Sequence, residues 1–170
     1  MLIAAVIIAA SVSSIAGDLV FDVCQGYYFG IKLPYRKAIS NGDGNGKYAF
    51  VIYLHGGSSK GNDNNKQLAE KGIDSIANYI LRHNEKAVFV VPQCPSDKSW
   101  GGPMLSVLKG LIDDHMQAAD MDHNRIYIFG GSMGGTGTWS MLSAYPGLFT
   151  SAMPVAGNPS QCIADNVVKT

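Results

Sequence analysis

Short apolar runs alternate with amphipathic stretches along this chain. Five runs rich in apolar, aromatic or β-branched residues predict strands over residues 27–33, 48–54, 87–91, 125–129 and 151–156. Helices are predicted from the stripe Ile73, Ile76, Ala77, Ile80 and Leu81, from the stripe Met104, Val107, Leu108, Leu111 and Ile112 after Pro103, and over residues 133–145. Alternation of this kind indicates an α/β fold with a mostly parallel sheet, right-handed crossovers and helices on both faces.

The first sixteen residues are almost wholly apolar or small, which predicts a signal peptide over residues 1–16. Small residues at Ser14-Ile15-Ala16 are what a signal peptidase requires, so cleavage is expected after Ala16. The run is shorter than the roughly 20 residues of a membrane-spanning helix, so no stable membrane anchor is expected. We therefore expect a secreted or periplasmic protein whose residues 17–170 form the N-terminal part of one domain.

Charge and cysteine content narrow the possible partners. The 170-residue chain has 13 basic and 13 acidic residues, so no net field attracts nucleic acid or an anionic membrane, and a small uncharged ligand fits better. Segment 41–46 alternates Asp and Asn with Gly as a calcium loop does, but it lacks the Glu at the twelfth position, which favours a turn. Cys24, Cys94 and Cys162 allow one disulfide and a spare thiol, or a partner outside the chain. No metal or cofactor is expected.

The segment Gly130-Gly131-Ser132-Met133-Gly134 matches G-x-S-x-G at a predicted junction of strand and helix. A nucleophilic serine in this context sits on a tight turn whose neighbours must be nearly free of side chains. The N-H of Met133, at the positive end of the following helix, is a candidate donor to an oxyanion. The alternative is a glycine-rich turn that binds phosphate, but a P-loop has Lys before its Ser, where this chain has Gly131.

A second candidate loop, His55-Gly56-Gly57, follows an earlier predicted strand. Such a loop donates a backbone N-H to the oxyanion, and we assign that donor to Gly57. In proteins that carry a nucleophilic serine on such a strand-to-helix turn, the catalytic base follows the serine in sequence. We therefore expect His55 to shape the loop rather than to carry a proton.

Other short motifs accompany the two loops. They are Leu33-Pro34-Tyr35-Arg36, Tyr53-Leu54, Gly61-Asn62-Asp63-Asn64, Val91-Pro92-Gln93, Trp100 and Asp122-His123-Asn124-Arg125-Ile126-Tyr127. From about Tyr27 onward the set resembles the α/β-hydrolase esterases of the phospholipase/carboxylesterase or prolyl-oligopeptidase-like kind, with related feruloyl and acetyl-xylan esterases and polyhydroxybutyrate depolymerases. The resemblance implies an acyl-accepting nucleophile at Ser132, an oxyanion donor at Gly57 and a structural turn at Asp122 and Arg125.

The rest of a catalytic triad is missing from the pattern. A serine hydroxyl needs a histidine and a carboxylate, which in this family follow the serine. All four histidines precede Ser132, and Asp165, the acid downstream of it, reads as a solvated loop residue. Residues 167–170 resemble the approach to a further strand, so we expect a chain that lacks the last strands, the acid and the histidine, and that is inactive alone.

Three functions remain open from the sequence. The first is hydrolysis of a carboxylic ester, either a small molecule or one linked to a polysaccharide, with feruloyl or acetyl groups favoured by the resemblance. The second is a serine peptidase of the prolyl-oligopeptidase type, and the third is a binding protein on a hydrolase fold without catalysis. Met133 and Trp100 are candidate apolar walls of the acyl pocket, although Trp100 fits a packing role equally well.

Overall fold

A computed structural model describes residues 19–43, 46–159 and 164–167 of the chain. The strands are β1 (Asp22–Tyr28), β2 (Ile31–Ser40), β3 (Tyr48–Leu54), β4 (Ala87–Pro92), β5 (Met121–Gly131) and β6 (Ser151–Val155). The helices are α1 (Lys71–Arg82), α2 (Pro103–Met116), α3 (Met133–Ala144) and the short α4 (Ala164–Val167). The predicted signal peptide over residues 1–16 lies outside the described residues, as do Cys162 and part of the turn at 41–46.

The six strands form one sheet in the order β1-β2-β4-β3-β5-β6. Strands β4, β3, β5 and β6 are parallel to one another, whereas β1 and β2 are antiparallel at one edge. The fold is therefore the predicted α/β architecture with a mostly parallel sheet. The carboxyl ends of β3 and β5 pair Leu54 with Gly130, which brings the two predicted loops together.

Alternate residues of the strands pack against helices on opposite faces. On β3, Phe50, Ile52 and Leu54 share one core cluster with α2 and α3, and Val51 and Tyr53 share the other with α1. The predicted stripe of α2 is wholly buried: Met104, Val107, Leu108, Leu111 and Ile112. Helices thus cover both faces of the sheet, as the periodicity predicts.

Three predictions about local structure are wrong. The single strand expected over residues 27–33 is interrupted by a turn at Phe29 and Gly30, both with positive φ, which reverses the chain from β1 into β2. Asp165 is solvent-exposed as expected, but it lies in α4 rather than in a loop. Val167 ends that helix, so it does not approach a strand, and residues 168–170 lie outside the described part of the chain.

Cys24 and Cys94 are both buried free thiols, so they do not form a disulfide with each other. Burial raises the pKa of each thiol, to about 12 for Cys94, which keeps both protonated and unreactive at neutral pH. No helix among the described residues is long and apolar enough to cross a membrane.

Candidate functional site

Ser132 occupies the tight turn between β5 and α3. Its backbone has φ 54° and ψ −116°, a region that costs a residue with a side chain roughly 1–3 kcal/mol. The turn is fixed from both sides, because the N-H of Ser132 donates to the Val155 carbonyl at 2.9 Å and its carbonyl accepts from the Thr136 N-H at 3.0 Å. The residue is exposed to solvent. Strain at an accessible serine is typical of a functional position.

The glycines around Ser132 are required by close packing of the strand and the helix. A Cβ on Gly134 would overlap the carbonyl of Leu54 at the end of β3. A Cβ on Gly130 would overlap the carbonyl of Gly134, and one on Gly135 would lie 2.5 Å from the carbonyl oxygen of Val155. The turn at Ser132 therefore packs directly against the ends of β3 and β6, and side chains at these glycine positions would displace it.

The loop after β3 lies beside this turn. A Cβ built on Gly56 would be 3.7 Å from the Cβ of Ser132. Gly57 is exposed and begins a 3-10 turn, Gly57–Ser59, while Met133 begins α3. The first N-H groups of a helical turn have no partner within that turn, so Gly57 and Met133 both carry donors available to a ligand.

His55 is a structural residue in this geometry. It is completely buried; its Nδ1 lies 2.6 Å from the Gly56 carbonyl oxygen, and its Nε2 lies 2.9 Å from the backbone nitrogen of Cys94. Since the Cys94 N-H can only donate, Nε2 is the acceptor and Nδ1 carries the proton. Burial lowers the pKa of the ring and keeps it neutral. With both nitrogens engaged, His55 shapes the loop as predicted.

Trp100 is buried beneath the loop rather than lining a pocket. Its indole N-H donates to the His55 carbonyl at 3.0 Å, and its ring meets the His55 ring edge-on at 5.2 Å. The side chain is only 2% exposed, so the proposed role as a pocket wall is wrong and the packing alternative is correct. Met133 is partly buried against the core cluster.

The other three histidines lie far from Ser132. His123 precedes Gly131 by eight residues on β5, which places it roughly 26 Å away along the strand at about 3.3 Å per residue. His83 caps the carboxyl end of α1. His115 lies at the end of α2, with its Nδ1 2.8 Å from the Leu111 carbonyl oxygen. Within the described ranges the Ser132 hydroxyl has no hydrogen-bond partner, so no base contacts it.

A cavity of about 440 Å³ lies at the opposite end of the sheet. It is lined by Tyr48 and Met121, which begin β3 and β5, and by His115. In parallel sheets ligands bind at the carboxyl ends of the strands. Geometry at Ser132, rather than cavity size, therefore defines the candidate site.

The side chains of Glu70 and Ser59, near the His55–Gly57 loop, were not predicted as part of the site from the sequence. Glu70, between the loop and α1, accepts hydrogen bonds at Oε1 from the Gly56 N-H at 3.1 Å and from the Ser59 hydroxyl at 2.9 Å. Nothing in the spacing of residues 55 to 70 indicates this contact, because it depends on the path of the intervening loop.

Asp122 and Arg125 make structural contacts as expected, but they lie within β5, at an irregularity of its pairing with β3, rather than in a turn before the strand. The carboxylate of Asp122 accepts from the Asn124 N-H at 2.9 Å. Arg125 forms an ion pair of 2.9 Å with Glu85, which joins the start of β5 to the segment before β4. These contacts lie at the end of the sheet remote from Ser132.

No family model matches the chain. Over 69 residues, which are 40% of this chain and 16% of the other protein, it is 36% identical to poly(3-hydroxyalkanoate) depolymerase C of Paucimonas lemoignei. Among solved structures, a thermostable esterase is similar over 88% of this chain and 43% of its own, with 31% identity and a TM-score of 0.74. An acetyl xylan esterase from Aspergillus awamori shares the fold over 79% of this chain and 51% of its own, with 14% identity and a TM-score of 0.58.

These likenesses and the sheet order define the class: the chain has the α/β-hydrolase fold. Two of the solved structures that share this fold are esterases. The chain spans less than half the length of the thermostable esterase.

Proposed function

We propose that this chain carries the nucleophile and the oxyanion donors of a serine esterase that cleaves carboxylic esters through an acyl-enzyme on Ser132. The observation that supports this most strongly is the strained, exposed Ser132 at the amino end of α3, directly beside the His55–Gly57 loop. The similarity to a thermostable esterase and to a polyester depolymerase supports the same type of bond.

The peptide between Gly56 and Gly57 is held in one orientation by its carbonyl, which supports the proposed oxyanion role of the Gly57 N-H. The described chain has no cis peptide bonds, so the Gly56 carbonyl and the Gly57 N-H point in opposite directions. The carbonyl is held by His55 Nδ1-H at 2.6 Å and by the Ser59 N-H at 3.2 Å. Fixing the carbonyl fixes the N-H of Gly57, which is thereby pre-organised as a donor before substrate arrives.

In the proposed reaction the Ser132 oxygen attacks the ester carbonyl carbon while a histidine takes the hydroxyl proton. The N-H groups of Gly57 and Met133 stabilise the charge on the former carbonyl oxygen, aided by the positive end of α3. The alcohol leaves with the proton from the histidine, and water then releases the acid from Ser132 by the same route. Each step balances without a metal or cofactor.

The acid and the histidine of the triad are proposed to lie outside residues 1–170. The reason is the placement of the four histidines: His55 has both nitrogens engaged, and His83, His115 and His123 are remote from Ser132. A base supplied by further residues of the same protein meets the requirement of the chemistry.

The proposed substrates are esters of small molecules or esters carried on a polysaccharide, with acetyl or feruloyl groups favoured by the sequence resemblance. The depolymerase that this chain resembles acts, by its name, on poly(3-hydroxyalkanoate), which is also a polymer of carboxylic esters. Export through the apolar segment 1–16 would bring the enzyme to such polymers.

The product of residues 1–170 is expected to show no serine-dependent hydrolysis, because no described histidine can take the proton from Ser132. Its rate on p-nitrophenyl butyrate should equal that of its Ser132→Ala variant. A longer product of the same gene that supplies an Asp and a His should hydrolyse the ester far faster than its own Ser132→Ala control.

Serine-dependent turnover by residues 1–170 would contradict the proposed source of the base. Substitution of His55, His83, His115 and His123 one at a time would then identify the residue that acts.

A further inference from the structure

We propose that Glu70 is a positioning residue, which holds the Gly56–Gly57 segment so that the Gly57 N-H faces the reacting carbonyl; this inference rests on the proposed function. The direct observation is the pair of hydrogen bonds at Glu70 Oε1, from the Gly56 N-H at 3.1 Å and from the Ser59 hydroxyl at 2.9 Å. One carboxylate oxygen thus joins the two ends of the turn that begins at Gly57.

Two consecutive peptide groups are fixed around Gly56. In the peptide between His55 and Gly56, the carbonyl accepts from Trp100 at 3.0 Å and the N-H donates to Glu70. In the peptide between Gly56 and Gly57, the carbonyl is held by His55. Three of the four polar groups are engaged inside the protein, and the fourth, the Gly57 N-H, is left for a ligand. Glu70 supplies the contact that orients the first of these peptides.

The location of Glu70 at the N-cap of α1 supports a role outside the helix. It occupies the N-cap of α1, where Ser, Thr, Asp or Asn is preferred, and its side chain makes no capping hydrogen bond. No ion pair to Glu70 is found among the residues that the structure describes. The side chain therefore breaks a local rule for helices, as residues held for function do.

The packing beside Ser132 leaves the loop little freedom. A Cβ on Gly56 would meet Glu70 Oε1 at 3.3 Å and Ser132 Cβ at 3.7 Å, so Gly56 lies close to both the carboxylate and the nucleophilic residue. Loss of the carboxylate contact would let Gly56 move relative to Ser132. A shift of about 1 Å in such a group lowers turnover by as much as 10²-fold.

Two substitutions separate positioning from folding. Glu70→Asp removes the reach to Gly56 but places a preferred capping residue at the start of α1, so the melting temperature should not fall. Glu70→Gln keeps an oxygen acceptor at the same distance, so the loop should keep its position. In a longer, ester-hydrolysing product, we expect Glu70→Asp to lower kcat roughly 10- to 100-fold with little change in KM. Glu70→Gln should remain close to the unmodified protein, as should the control Asp74→Asn on the exposed side of α1.

The second measurement reads the contact without catalysis. In ¹⁵N-¹H spectra of the same proteins, the Gly56 amide signal should move in Glu70→Asp, which loses the contact, by more than it moves in the control Asp74→Asn. A Gly56 amide signal that Glu70→Asp leaves in place, or a Glu70→Asp variant with unchanged kcat, would overturn the proposal. If the Gly56 amide signal moves in Glu70→Asp but the protein has no esterase activity at all, the contact is supported and the proposed function is rejected instead.

Discussion

Ester hydrolysis should fall by several orders of magnitude, on the order of 10⁶-fold, when Ser132 is replaced by alanine. The expected loss is this large because the serine oxygen forms the acyl-enzyme, and no other described hydroxyl occupies a strained turn at the amino end of a helix beside an oxyanion loop. The measurement is kcat/KM on short p-nitrophenyl esters, with a longer product of the gene that supplies the acid and the histidine.

Ser132→Gly is the matched control for strain. It should be equally inactive but more stable than either the parent or Ser132→Ala, by roughly 1–3 kcal/mol, since glycine accepts φ 54° and ψ −116° and alanine does not. Chemical denaturation of the three proteins measures this difference. Retention of most of the turnover in both variants would place the nucleophile elsewhere.

Gly57→Pro should lower kcat by about 10² to 10³, the cost of one lost oxyanion donor, or roughly 2.7 to 4 kcal/mol. Proline removes the N-H and fits the backbone here, because Gly57 is the first residue of a helical turn and Gly56 has φ −73° and ψ 172°, which a residue before proline adopts readily. The melting temperature should therefore stay near that of the parent. Steady-state kinetics and thermal unfolding provide the two measurements.

Gly57→Ala is the control, since a Cβ at this position has no atom within 4 Å and the N-H is kept. Its turnover should remain near that of the parent. Equal kcat in the alanine and proline variants would show that the Gly57 N-H does not bind the oxyanion.

Most of the fold could be predicted from the sequence because each central element has a strong local pattern. The stripes of α1 and α2 and the apolar runs of β3 and β4 lie where the periodicity indicates. The hairpin between β1 and β2 was missed because Phe29, an aromatic strand former, adopts φ 51° in the turn. Positive φ at both Phe29 and Gly30 makes the two-residue hairpin turn, and of the two residues only Gly30 is of a type that indicates it.

The candidate site likewise combines residues that the sequence predicts with residues that only the structure reveals. Ser132, Met133 and Gly57 were proposed from motifs whose spacing reflects a local strand-to-helix or strand-to-loop geometry. The contact of Glu70 with Gly56 spans 14 residues of loop and 3-10 turns, and that of Trp100 with His55 spans 45 residues. No local pattern encodes such distances, so the supporting residues emerge from the structure.

The central claim is that the Ser132 oxygen forms the covalent bond to the acyl group. The most direct measurement is reaction of the ester-hydrolysing protein with a fluorophosphonate, followed by peptide mapping by mass spectrometry. The account predicts one adduct per molecule, on the peptide containing Ser132, and none in Ser132→Ala. An adduct on another residue, or labelling unchanged in Ser132→Ala, would contradict it.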